Sequence, residues 1–168
     1  TIPQVMAKAT QSVPLMAVPF FILAANLMNV LGITQRIFDF AASIVGFIRG
    51  GLAHVNVVAS MIFAGISGAA VADAAGLGTI EMRAMREAGY DLGFSASVTI
   101  ASSTIGPIIP PSISMVIYAL TAKVSIAHMF VAGIIPGILI GTILMASIYV
   151  RVRFGRQDCP PPIAFSWK

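Results

Sequence analysis

The sequence predicts an all-α integral membrane protein. It is expected to hold three spanning helices, one of them broken in the middle, with one re-entrant helical hairpin and one interfacial amphipathic helix. Three observations predict this class. The 168 residues are 58% hydrophobic and only 10% charged, whereas a soluble domain carries about 25% charged residues to cover its water-facing surface. No Asp, Glu, Lys or Arg occurs from Ala9 to Gln35, from Leu92 to Ala122, or from Val124 to Val150, and each stretch exceeds the roughly 20 residues that span a hydrocarbon core. Two of the long apolar segments carry Gly- or Pro-rich interruptions that a continuous helix does not accommodate.

The first spanning helix is expected within residues 1–33, with its apolar run from about Val13 to Ile33. Pro14 and Pro19 fall in its first turns, where proline disturbs a helix least. Asn26 and Asn29, three apart, share a face and are read as hydrogen-bonding to neighbouring helices. Residues 34–51 differ. Ile37, Ala41, Ile44, Val45 and Ile48 follow helical spacing, while Arg36, Asp39 and Ser43 fall on the other side. That pattern fits an amphipathic helix in the interface plane, or a loop helix packed on the protein.

Residues 52–88 form the re-entrant hairpin. The stretch from Gly51 to Ile80 would make about 45 Å of helix, too long for one span and too short for two. Gly65-Ile66-Ser67-Gly68 interrupts it, leaving limbs of about Leu52–Ile66 and Ala74–Glu87. Arg49 flanks one outer end and Arg83 with Arg86 the other, so both ends prefer the cytoplasmic side. A segment that enters the membrane and returns satisfies both. Its tip must be buried in protein or line a wet cavity, because lipid satisfies no free backbone group.

Residues 89–123 form the discontinuous helix. Gly106-Pro107-Ile108-Ile109-Pro110-Pro111-Ser112 places three prolines in five residues, which no helix continues through. Its flanks, about Gly93–Thr104 and Ser112–Thr121, read as half-helices. Residues 124–150 form the last span, with a bend expected at Pro136-Gly137, and Arg151, Arg153 and Arg156 stop it. Residues 151–168, with Pro160-Pro161-Pro162, read as a cytoplasmic linker. With that linker inside, Lys8 and Lys123 are the basic residues outside and the other eight of the ten Lys and Arg lie inside, as the positive-inside rule requires.

The net charge of +4 comes from basic residues at the ends of apolar runs, so topology accounts for it and nucleic acid is not an expected partner. The single cysteine, Cys159, excludes an intrachain disulfide and a multi-thiolate metal site. Thr1-Ile2-Pro3 carries no initiator Met and no basic n-region, so no signal peptide is read there. With the end at Trp167-Lys168, a fragment of a longer chain is expected. No paired acids, metal cluster or Ser–base pair marks an enzyme, and no cofactor is expected.

Broken helices expose unpaired N–H and C=O groups at mid-membrane depth. Helix C-terminal carbonyls suit a small cation, and helix N-termini suit a carboxylate. The expected sodium and substrate site therefore comprises Ser67, Gly68, Ser103, Thr104, Gly106, Pro107 and Ser112, with Ser102 adjoining. The plain alternative is that these hydroxyls only bond backbone within packed helices. Asp73, the one acid well inside the apolar segments, is read as the N-cap of the second hairpin limb, or as a polar site. His54 and His128 read as packing or interfacial residues. Glu81, Arg83, Arg86 and Glu87 read as partners on a solvated helix end.

Three stretches carry a family resemblance: Ser67-Gly68-Ala69-Ala70-Val71-Ala72-Asp73-Ala74-Ala75-Gly76, the run from Ala101-Ser102-Ser103-Thr104 through Pro110-Pro111-Ser112, and Val13-Pro14-Leu15-Met16-Ala17-Val18-Pro19-Phe20-Phe21. They resemble the large membrane (permease) subunit of the tripartite ATP-independent periplasmic (TRAP) transporters over nearly the whole chain. The resemblance implies half of an inverted-repeat transporter, the first repeat, in the bacterial cytoplasmic (inner) membrane. It implies sodium-coupled import of organic acid anions, of dicarboxylate or sialic-acid type, by an elevator motion. The partners implied are the second half of the same permease, a small membrane subunit, a periplasmic substrate-binding protein and the lipid bilayer. Position 69 is Ala where relatives often carry Ser, which would remove one oxygen near the tip. The alternative is another inverted-repeat dicarboxylate or citrate carrier that needs no binding protein.

Overall fold

A computed structural model describes residues 19, 20, 23, 24, 27, 28 and 30–154. The expectations for Lys8, Asn26, Asn29, Arg156, Cys159 and the linker from 155 to 168 lie outside the described residues. Among the described residues the structure is helical, without strands. From Ile33 onward seven helices follow: α1 Ile33–Val45, α2 Gly51–Ser67, α3 Ala70–Ala75, α4 Leu77–Glu87, α5 Leu92–Ser103, α6 Ile113–Thr121 and α7 Ile126–Arg153.

α2 is the centre. Leu52, Val55, Val57, Ala59 and Phe63 are all buried, on every side of the helix, and α1, α4, α5 and α7 pack around it. A helix that is apolar all round is stable only where neighbours cover all of it. α1 lies against α2 through Thr34, Ile37, Phe38 and Ala41, while Arg36, Asp39 and Ser43 are exposed. The expected apolar stripe is thus split. Ile44 is exposed, and with Phe40 and Phe47 it forms a second apolar strip beside the packed one.

The break between α2 and α3 is two residues long. Gly68 takes a left-handed conformation (φ 60°) and donates its N–H to Ala64 O at 3.0 Å, and Ala69 is extended. Gly tolerates that conformation because it has no Cβ. The chain then doubles back, with Asn56 Nδ2 of α2 reaching Met85 Sδ of α4 at 3.9 Å. The second limb starts at Ala70, four residues before the expected Ala74, because Ala70-Val71-Ala72 continue a helix readily once the turn is made. A second interruption at Gly76 divides that limb into α3 and α4.

Side chains begin the later helices as their sequences suggest. Asp91 Oδ2 accepts the Phe94 N–H at 2.8 Å, Ser112 Oγ that of Met115 at 3.3 Å, and Ser125 Oγ that of His128 at 3.5 Å. Among the described residues α7 alone is long and apolar enough to cross a membrane. Its 28 residues make about 42 Å, and the helix runs through Pro136 without interruption. Val131, Ile135, Leu139 and Ile143 are exposed along it, where a core helix of a soluble protein would bury them.

The covered side of α7 is a row of glycines, Gly133, Gly137 and Gly141. A Cβ on Gly133 would stand 2.5 Å from Ile108 O, one on Gly137 2.5 Å from Ile109 Cγ1, and one on Gly141 2.3 Å from Met61 Sδ. Small residues four apart let neighbouring backbone approach this closely. Farther along, Val152 packs on Gly50, just ahead of α2. α7 therefore runs antiparallel to α2, from the α5–α6 break to the start of the hairpin.

Candidate functional site

The hairpin tip and the α5–α6 break meet. Ile113 donates its N–H to Gly68 O at 3.3 Å, joining the tip to the start of α6. A Cβ on Gly68 would stand 2.7 Å from Pro111 O, and one on Gly65 3.7 Å from Pro110 O. Two carbonyls of the Pro110–Pro111 pair thus face the tip glycines. A Cβ on Gly106 would stand 3.2 Å from the Ala69–Ala70 peptide. Gly68 has no room for a side chain and Gly106 little, whereas at Gly65 a Cβ would meet Pro110 O at ordinary contact distance.

The break covers residues 104–112, and its first part is turned rather than extended. The chain turns twice after Ser103, with Ile105 and Gly106 donating to Ser102 O and Ser103 O and both Ile108 and Ile109 donating to Ile105 O. Extended backbone is reached at Ser112 (φ −125°, ψ 132°). Ser112 donates to Pro107 O at 2.6 Å while accepting from Met115 N–H. Its hydroxyl therefore fastens the break and caps α6.

The structure brings most of the sequence-predicted residues together here. Gly68 touches Pro111 and Ser112, Gly106 sits between the tip and Ser103 O, and Pro107 is tied to Ser112. The Ser67 hydroxyl, at the end of α2, is buried and has no hydrogen-bond partner among the described residues. A buried hydroxyl without a partner is costly, so this oxygen suits a ligand. Ser103 and Thr104 donate to Ile100 O and Ala101 O, three residues back, which leaves their oxygen lone pairs free. Ser103 is buried and Thr104 is exposed.

Two readings are corrected. The second hairpin limb is capped by Ala69, not by Asp73, which lies within the first turn of α3 and makes no capping hydrogen bond. Asp73 is buried, and both carboxyl oxygens lack a hydrogen-bond partner among the described residues. Glu81 is not on a solvated helix end. It is 1% exposed, on the α4 face that also buries Leu77 and Met85. The spacing 77, 81, 85 carried that signal, overshadowed by the charges of Arg83, Arg86 and Glu87 beside it. His54 is a packing residue as expected, buried with Nδ1 3.2 Å from Gly50 O, and His128 is exposed.

Sequence reasoning missed a polar cluster behind the tip. Asn56 Nδ2 donates to Thr99 Oγ1 at 2.7 Å, Ser102 Oγ donates to Asn56 Oδ1 at 2.7 Å, and Ser60 Oγ donates to Ser102 Oγ at 3.2 Å. All four residues are buried. They tie α2 to α5 by a network in which each polar group supports the next. The signal available was Asn56 and Ser60, four apart in a largely apolar helix.

All 168 residues match the family described as tripartite ATP-independent periplasmic transporter, DctM component. The chain belongs to this family. It is 56% identical over 138 residues to a sialic acid TRAP transporter permease protein of Haemophilus influenzae, covering 82% of this chain and 22% of that one. It is 49% identical over 146 residues to a sialic acid TRAP transporter large permease protein of Vibrio cholerae, covering 87% and 34%. It is also 41% identical over 150 residues to a C4-dicarboxylate TRAP transporter large permease protein of Pseudomonas aeruginosa, covering 89% and 35%. The chain thus spans between about a fifth and a third of the length of these relatives. They are transporter permeases, and the TRAP family and the apolar surface of α7 agree on an integral membrane setting.

Proposed function

We propose that the chain is part of the permease of a sodium-coupled secondary transporter that imports organic acid anions, of sialic-acid or dicarboxylate type, delivered by a periplasmic binding protein. The single observation that carries the reading is the meeting of tip and break beside the middle of α7. Helix α7 serves as a depth gauge. Gly137 lies eleven residues past Ile126, about 16 Å along the helix, and it faces Ile109 in the break. The start of α2 lies at the arginine-bearing end of α7. This arrangement suits a hairpin that enters from the cytoplasmic side and ends at mid-depth, and a crossing helix that breaks there.

At that depth the carbonyls of Pro110 and Pro111, the free Ser67 hydroxyl and the lone pairs of Ser103 and Thr104 offer oxygen donors suited to sodium. The capped start of α6 offers a positive helix end to a carboxylate. The second half of the permease would supply the facing wall, and an elevator motion would carry the site across. A small membrane subunit completes the assembly in the inner membrane. The names of the relatives favour this over a carrier that works without a binding protein. The test is sodium-driven uptake by the full-length permease with its partners in liposomes. Ser67→Ala should raise the sodium concentration for half-maximal uptake about tenfold, since losing one oxygen that serves a buried cation costs about 1–3 kcal/mol. Unchanged sodium dependence in Ser67→Ala and Thr104→Ala would show that these hydroxyls only pack.

A further inference from the structure

We propose that the arginine-bearing end of α7 forms, with α5 and α2, a binding site for an anionic phospholipid of the cytoplasmic leaflet. The inference rests on the membrane setting and on the sidedness read from the arginines, and its site lies away from the break. A cavity of about 310 Å³ opens between the three helices. Buried Val57 of α2, Val98 of α5 and Ile148 of α7 make its floor. Phe94, Ala101 and Leu144 make its apolar sides, and Ser97, Ser147 and Arg151 are exposed at its mouth.

The cleft follows from the sequence of α7. Gly133, Gly137 and Gly141 let that helix sit close to its neighbours, but the same face continues as Leu144 and Ile148. With Val152 seated on Gly50, this end of α7 keeps to α2 and stands off α5. α5 runs toward the break and α7 returns from it, so their lining residues pair in reverse order. Arg151 lies about 10 Å along α7 from Leu144, as Phe94 does along α5 from Ala101. The cleft therefore grades from apolar at Ala101 and Leu144 to a cation at Arg151.

A phospholipid with a negative headgroup carries the matching gradient. Basic pockets between spanning helices on the cytoplasmic side hold such headgroups. The Ser97 and Ser147 hydroxyls donate to Gly93 O and Leu144 O of their own helices, so the Arg151 guanidinium is the group that selects charge. The Asp91 carboxylate caps α5 at the Phe94 N–H and does not line the cleft. The volume is at the lower end for a ligand cavity. It takes the headgroup end of the lipid, and the rest stays in the bilayer beside exposed Ile143 and Val150.

The experiment uses the purified full-length permease with its partner subunits. Phosphatidylglycerol or phosphatidylethanolamine, each with a photoreactive group on one acyl chain, is added and the labelled peptides are mapped. Labels are expected within residues 94–101 and 144–151, severalfold stronger with phosphatidylglycerol, and unlabelled phosphatidylglycerol should compete. Arg151→Gln should weaken that competition about fivefold, and Arg151→Lys should stay near the parent. Equal labelling by the two lipids overturns the proposal, as does an Arg151→Gln variant with the parental preference. No label in either segment also overturns it, and would mean that another part of the assembly fills the cleft. Should a variant fail to assemble, the ratio of the two lipids on the parent decides. No transport is measured, so a failure of the transport reading leaves this result standing.

Discussion

The Ser102 hydroxyl of α5 donates to Asn56 Oδ1 of α2 at 2.7 Å, while the Asn56 amide holds Thr99 one turn earlier. One side chain thereby fixes two turns of α5 against the central helix. Asn56→Leu, similar in size, should destabilise the full-length permease by about 1–3 kcal/mol, because the buried Thr99 and Ser102 hydroxyls lose a partner. Thermal unfolding in detergent measures it. The Asn56→Leu, Ser102→Ala pair should cost less than the sum of the two single changes. Strict additivity would mean that the two residues are not coupled.

The glycine row of α7 should respond unevenly to a single methyl group. At Gly133 the obstacle includes Ile108 O, which is backbone, whereas at Gly141 it is the flexible thioether of Met61. Gly133→Ala should therefore cost about 1–3 kcal/mol through overpacking, and Gly141→Ala distinctly less, since Met adapts to its surroundings. Comparing unfolding midpoints of the two variants tests this, and the reverse order would contradict the packing described.

Two left-handed glycines separate conformation from contact. Gly68 (φ 60°) faces Pro111 O, and Gly89 (φ 89°) faces open space. Gly89→Ala should cost only the left-handed penalty of about 1–2 kcal/mol. Gly68→Ala adds a clash with backbone in the break, so it should abolish uptake at an expression level where Gly89→Ala still transports. Similar uptake by both variants would detach the tip from the site.

Hairpin topology predicts sidedness. Gly50 packs on Val152, so Arg49 and Arg151 belong to the same side of the membrane. Single cysteines placed by Arg49→Cys and Arg151→Cys, in a Cys159→Ser background, should both react with an impermeant maleimide only in inverted vesicles. Opposite sidedness would make the 51–87 segment a simple crossing.

Most helices and the two main breaks were legible in the sequence because they rest on local chemistry, whereas the start at Ala70 and the interruption at Gly76 were not. Gly68 ends α2, Asp91, Ser112 and Ser125 open the later helices, and the prolines interrupt α5 from α6, each through backbone conformation or a capping hydrogen bond within four residues. The misread residues depend on what lies across the bundle. Asp73 looks like a cap by position, but Ala69 already makes the turn. Glu81 sits among charged neighbours, and only the burial of Leu77 and Met85 on its face shows that it points inward. Pro110 was legible as a helix breaker, yet the direction of its carbonyl toward Gly65 is set by the packing of two distant segments.

The glycine row of α7 also bears on the order of synthesis. The tip and the break are joined by residues that leave the ribosome before Gly133 does, yet the far side of the break, at Ile108 and Ile109, is covered only when α7 arrives. Domains form largely as they emerge, and incompletely covered intermediates are prone to mispairing. During biogenesis the interval between completing α6 and inserting α7 is therefore the vulnerable one. A ribosome pausing there would leave a joined but uncovered break in the membrane, open to quality-control proteolysis.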